Sequence, residues 1–214
     1  MTPFKLSEEL LEQVISDIAS ENNKALQTLF KEYHYADLAE IFDNLQIEQA
    51  VYLFKLIDSE KTADMLTELD EDVRESILDA LSSEEIATEI NELDTDDAVD
   101  IVAELPMEIR KEVIDQILDT EHADDIRELL TYDENSAGGL MAKELVCVNQ
   151  NWTVTRCVRE MRVQAQEVTR VHSIYVVNDE NVLLGRLSLK DLLTANEKSK
   201  IASIYIPKVD YVQA

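Results

Sequence analysis

A weak internal repeat of about 24 residues between Tyr35 and Leu130 does most to limit what this chain can fold into. Leu45, Leu69, Leu93 and Leu118 recur at near-constant spacing, and Asp70, Asp94 and Asp119 follow three of them. A second series, Ile57, Leu81, Leu105 and Leu130, falls midway between them. Each half-repeat, about twelve residues, holds one short helix and a turn. Within the halves apolar residues stand three and four apart, as in Ile77, Leu78 and Leu81 or Val99, Val102 and Ala103, the spacing of a one-sided helix. Ser82-Ser83-Glu84-Glu85, Asp94-Thr95-Asp96-Asp97 and Leu105-Pro106-Met107-Glu108 supply caps, a proline or first-turn acids where such helices start. Helices this short cannot bury their apolar stripes alone, so neighbours must stack; the pattern predicts a compact helical superhelix from about Ser7 to Leu130. The period is shorter than that of tetratricopeptide or HEAT repeats.

Charge divides the chain. Before Asn135 stand 38 acidic and 9 basic residues, a balance of −29; from Asn135 onward 8 and 10 give +2. Such a surface repels nucleic acid and anionic headgroups and is stabilised by cations or basic partners. With 45% hydrophobic residues, three glycines and three prolines, the acidity sits on a folded, helix-rich scaffold rather than a disordered tail. Cys147 and Cys157 form no CxxC pair and read as buried thiols of a reducing compartment. Met1 to Leu11 is amphipathic and acidic, unlike a signal peptide, and no apolar run reaches the ~18 residues of a membrane span; as given, the chain reads as soluble and cytoplasmic. His34, His122 and His172 are scattered and no phosphate-cradling glycine loop or nucleophile elbow is present, so an enzyme is not expected.

At Ser136-Ala137-Gly138-Gly139 the composition breaks, which sets expected domains at 1–134 and 135–214. Beyond the break the pattern predicts strands over Leu145–Val148, His172–Val177 and Val182–Leu187, the last two joined by the polar turn Asn178-Asp179-Glu180-Asn181. Val154, Cys157, Val158 and Met161 line one face of a helix that Thr153 can cap, and a final short helix follows Ser188. The fold class is thus a mainly α superhelical repeat domain followed by a small α/β domain.

The segment from Ser173 to Leu193 resembles a CBS motif, whose ending of glycine, two apolar residues, Ser or Thr, two variable residues and Asp is matched by Gly185, Ser188 and Asp191. Tyr132-Asp-Glu-Asn-Ser-Ala-Gly-Gly-Leu-Met141 resembles the junction between the amino-terminal domain and first CBS motif of MgtE magnesium transporters, and the acidic repeat before it completes the same order. CBS motifs pair within a chain, and here a second begins only with Ser203 to Val212.

This resemblance implies a magnesium-sensing regulatory region on the cytoplasmic side of a membrane. There it would gate influx through the pore domain of the same longer chain, as a homodimer through its CBS domains and without nucleic acid. It implies Mg2+ ligands at Asp64, Asp96 and Asp100. Asp96 and Asp100 stand four apart on one helical face, where like charges cost up to ~0.5 kcal/mol without a cation. Read without the resemblance, Asp96 is a first-turn acid that any helix dipole favours and Asp64 a solvated residue; Asp97 and Glu104 are acidic neighbours. No EF-hand loop is present. Ser188 and Asp191 match positions that face the ribose and phosphates of an adenine nucleotide such as ATP in nucleotide-binding CBS domains, and equally match an ordinary capping pattern. The alternative function is therefore a nucleotide-sensing CBS module with the helical domain as its effector or docking arm.

Overall fold

The computed structural model describes residues 4–166, 168, 171 and 173–213. Its chain divides into two compact units: the described residues up to Leu93 with Asp97–Thr131, and Asp94–Asp96 with the described residues from Tyr132 onward.

The first unit begins with α1 (Glu8–Ala19) and α2 (Asn23–Glu32). Eight short helices follow: α3 (Tyr35–Phe42), α4 (Ile47–Phe54), α5 (Ser59–Glu68), α6 (Glu71–Asp79), α7 (Ser83–Ile90), α8 (Thr95–Glu104), α9 (Met107–Gln116) and α10 (Thr120–Leu129). From α3 to α9 each helix starts twelve residues after the last, the half-repeat of the sequence, and α10 starts thirteen after α9. Helices two apart pack together, α3 on α5, α5 on α7, α7 on α9 and α4 on α6, so each buries its stripe against a neighbour from the next repeat.

Caps fix the starts. Ser7 and Asp119 accept first-turn N–H groups, and Ser82 and Glu85 form a reciprocal capping box. Further bonds tie one repeat to the next: Asp43 Oδ1 accepts the Asp70 N–H at 3.1 Å, and Asn91 Oδ1 the Asp119 N–H at 3.3 Å. The extra residue before α10 corrects the repeat reading. Ile117 is 7% exposed and takes the inward place, while Leu118 is 89% exposed.

In the second unit, β1 (Val146–Asn149), β2 (Ile174–Val177) and β3 (Leu183–Leu187) form a sheet in that order, β1 parallel and β3 antiparallel to β2. The parallel pair needs a crossover, which α11 (Val154–Gln164) supplies by packing on β1. Thr153 caps α11 as the sequence predicts. Asn178 Oδ1 accepts from Glu180 and Val182, and Asn181 takes a left-handed φ of 58°, which closes the β2–β3 hairpin. The predicted strands lie one or two residues off: Leu145 and Val182 fall outside β1 and β3, and His172 lies outside the described residues. Alternation along β1 buries Val146 and Val148 and leaves Cys147 only half-buried, so it is not the buried thiol expected; Cys157, on the inner face of α11, is. After β3 come α12 (Leu189–Thr194) and a 3-10 turn, Ile201–Ser203. No helix among the described residues is long and apolar enough to cross a membrane.

Candidate functional site

The acidic candidates sit where helix geometry leaves room for them. On α8, Ala98, Val99, Ile101 and Val102 turn inward and are buried, which sends Asp97 and Asp100 outward and leaves Asp96 half-buried. Asp96 and Asp100 are one turn apart on the polar side, and Asp96 and Asp97 lie in the first turn, where the helix dipole favours anions. Glu104 is differently placed. Its carboxylate accepts from Arg74 Nε at 2.9 Å and from a terminal nitrogen of the same guanidinium at 2.5 Å, while Arg74 also donates to the Leu66 and Leu69 carbonyls. The Glu104 bond, with Glu71 and Asp100 adding, holds the Arg74 pKa above its ordinary value against partial burial. Glu104 is thus committed to Arg74 rather than to a cation.

Asp64 lies on α5, half-buried, in the wall of a groove formed with α2, Tyr35 and the α4–α5 turn rather than with α8. The fold therefore brings Asp96 and Asp100 onto one face and leaves Asp64 on a different helix. Among the described residues, no group of three or more His, Cys, Asp or Glu side chains could hold a metal ion. Magnesium keeps several waters and takes one or two carboxylates, so a pair one turn apart, Asp100 exposed and Asp96 half-buried, fits that donor set.

At the head of α8, Thr95 is 1% exposed and grouped with the second unit. Its N–H and hydroxyl donate to the two oxygens of Glu144 at 3.0 and 2.9 Å, and the Lys143 N–H donates to Thr95 Oγ1 at 2.8 Å. A carboxylate 49 residues downstream thereby satisfies the first N–H of the helix that carries Asp96 and Asp100. Sequence reading passed over Glu144, since no local pattern links it to Thr95.

The second unit has a cavity of about 280 Å³, lined among others by Ser173, Ile174, Arg186, Leu187 and Ser188. Ser188 caps α12 by accepting the Asp191 N–H at 3.5 Å, so the capping reading of Ser-x-x-Asp holds while Ser188 also faces the cavity. Asp191, one turn into α12, does not line it. Arg186, which motif reading did not single out, also lines the cavity. Backbone bonds between Arg186 and Ile206, at 3.0 and 2.8 Å, lay the last described segment along β3. Gly185 is required there, because a Cβ would stand 2.2 Å from the Ile206 carbonyl oxygen.

A crystal structure of the cytosolic domain of the Mg2+ channel MgtE in complex with ATP matches 94% of this chain and 82% of its own length, with TM-score 0.85 and 30% identity. The chain belongs to the MgtE family. A second crystal structure, of the soluble part of a magnesium transporter, matches 95% of the chain with TM-score 0.81 and 26% identity. Residues 33–135 match the MgtE intracellular N domain and residues 137–198 the CBS domain. The magnesium transporter MgtE of Thermus thermophilus is 42% identical over 82 residues, and that of Enterococcus faecalis 34% identical over 80 residues. These stretches cover 38% and 37% of this chain and 18% of each relative. This MgtE chain has the order expected from its sequence, a mainly α repeat unit followed by an α/β CBS unit.

Proposed function

We propose that this chain is the magnesium-sensing regulatory region of a longer MgtE channel or transporter chain, placed on the cytoplasmic side of the membrane. The observation that carries the reading is the Asp96–Asp100 pair, one turn apart on the polar side of α8, in a segment whose charge balance is −29. Asp96 and Asp100 hold regulatory Mg2+, with Asp64 a further carboxylate ligand. At low magnesium the acidic helical unit repels other acidic surfaces; at high magnesium, bridging ions hold it against the CBS units of a homodimer, and the compact form shuts the attached pore. One site filled at ten times its dissociation constant adds about 1.4 kcal/mol, whereas moving a population from 1:99 to 99:1 takes about 5.5 kcal/mol. About four weak sites suffice by that measure.

Limited proteolysis tests this reading. Cleavage should slow at millimolar magnesium and not at sodium chloride of equal ionic strength, and the Asp96→Ala/Asp100→Ala double variant should lose most of the protection. Equal protection by sodium would leave only charge screening.

A second reading is favoured by the cavity at β3, where Ser188 and Arg186 stand together. There the CBS unit binds an adenine nucleotide, with Arg186 toward the phosphates, Ser188 toward the ribose and Asp191 as a supporting acid. The related structure in complex with ATP supports it. Calorimetry should give saturable ATP binding that Arg186→Ala weakens about tenfold, the scale of one charge-assisted hydrogen bond. No heat with ATP would remove this reading and leave the magnesium one standing.

A further inference from the structure

Within the helical unit, α2, Tyr35 and the α4–α5 turn enclose with α5 a groove of about 610 Å³, the size of a small-molecule site. Half-buried Tyr35, Leu56 and Ile57 supply apolar and aromatic surface over the buried Phe30. Asp58, the N-cap of α5, and Glu60 and Asp64 within it supply carboxylates. Glu60 and Asp64 are four residues apart, which puts them on one face about 6 Å apart along the axis.

The walls are already braced. Lys61 Nζ donates to the Phe30 and Tyr33 carbonyls at 2.8 Å and to that of Lys31 at 3.3 Å, so its ammonium is committed to the C-terminal end of α2. Gln27 Nε2 donates to the Leu56 carbonyl at 3.2 Å and ties α2 to the end of α4. The His34 ring lies 4.0 Å from that of Tyr35. Lys31 lines the groove as an exposed cation, so the described lining carries three carboxylates and two lysines.

Apolar surface beside carboxylates spaced along one edge suits a slender ligand with a hydrocarbon stem and more than one ammonium group. A hydrated metal ion gains nothing from the aromatic floor, an anion meets the acidic edge, and a neutral apolar ligand would desolvate carboxylates without pairing them. We propose that this groove binds a linear aliphatic polyamine, with its methylenes on Tyr35, Leu56 and Ile57 and its ammonium groups on Asp58, Glu60 and Asp64. The assignment stands on the groove's own lining and not on the magnesium reading. Because Asp64 belongs to both, polyamine and magnesium compete at that residue.

The test is a titration of the chain with spermidine in magnesium-free buffer, followed by two-dimensional amide NMR, with hexaamminecobalt(III) as a trivalent cation that has no hydrocarbon stem. Saturable shifts should centre on the Gln27 side chain and on Phe30, Leu56, Ile57 and Glu60. Hexaamminecobalt should bind there roughly tenfold more weakly, and Glu60→Gln/Asp64→Asn should weaken spermidine by about tenfold or more, the scale of lost charge-assisted contacts. Circular dichroism checks that this variant keeps the helical fold. Asp96→Ala/Asp100→Ala should leave spermidine binding unchanged even where it abolishes a magnesium response. Equal binding of the two cations, shifts spread over the whole acidic surface, undiminished binding by the Glu60/Asp64 variant, or a loss in the α8 variant would each overturn the assignment.

Discussion

Replacing Glu89 by Gln should change how stability depends on pH. Glu89 is 8% exposed on α7, and its Oε2 accepts a hydrogen bond at 2.7 Å from the hydroxyl of Thr62 on α5, itself 1% exposed. Burial is the leading cause that pushes its carboxyl up from 4.5 to about 7; the Thr62 bond opposes it and the charges of Glu92 and Asp58 add to it. Between those values the folded chain holds a proton that the unfolded chain has released. Stability therefore falls as pH rises from 4.5 to about 7 and is level above. From pH 5 to pH 8 the loss is roughly 2 to 3 kcal/mol at 1.36 kcal/mol per pH unit. Glu85, held down at about 2 chiefly by Lys55, has the opposite sign, but its contribution is lost only below 4.5, outside this window. Urea unfolding followed by helical circular dichroism at pH 5 and pH 8 measures the difference. Fluorescence of Trp152, the single tryptophan, reports the CBS unit separately. Glu89→Gln should flatten the dichroism-detected slope and leave the Trp152 transition unmoved. A decline as steep in the variant as in the parent would refute the assignment of this proton to Glu89.

Other substitutions probe the packing and the caps. Arg74→Ala strips Glu104 of its partly buried partner and two carbonyls of a donor, and should cost about 1.5–3 kcal/mol in urea unfolding of the helical unit. Leu66→Ala, at a fully buried position of α5, should cost roughly 2–5 kcal/mol in the same assay. Gly185→Ala drives a methyl toward the Ile206 carbonyl oxygen, so the bonds between Arg186 and Ile206 should break and the Trp152-reported transition should fall by about 1–3 kcal/mol.

Much of the fold was legible because its period is local. Twelve residues hold a cap, a helix and a turn, so leucine spacing and start signals such as Ser82-Ser83-Glu84-Glu85 located helices that begin at Ser83, Thr95 and Met107. What failed was also local: one extra residue before α10 moved the inward place from Leu118 to Ile117. Contacts spanning a whole repeat were not legible. Arg74 with Glu104 lies 30 residues apart and Thr62 with Glu89 lies 27, and nothing near Glu89 sets it apart from the acids that face solvent. At the candidate sites, the pairing of Asp96 with Asp100 and the capping role of Ser188 follow from helical spacing. Arg186 and Glu144 join through β3 and through a 49-residue separation that no motif records.

X-ray scattering of the chain across a magnesium titration tests the sensing claim most directly, with sodium chloride of matched ionic strength and the Asp96→Ala/Asp100→Ala variant as companions. The radius of gyration should shrink at millimolar magnesium, not shrink in matched sodium chloride, and shrink less in the variant. A radius that ignores magnesium, or that responds to sodium equally, would contradict it.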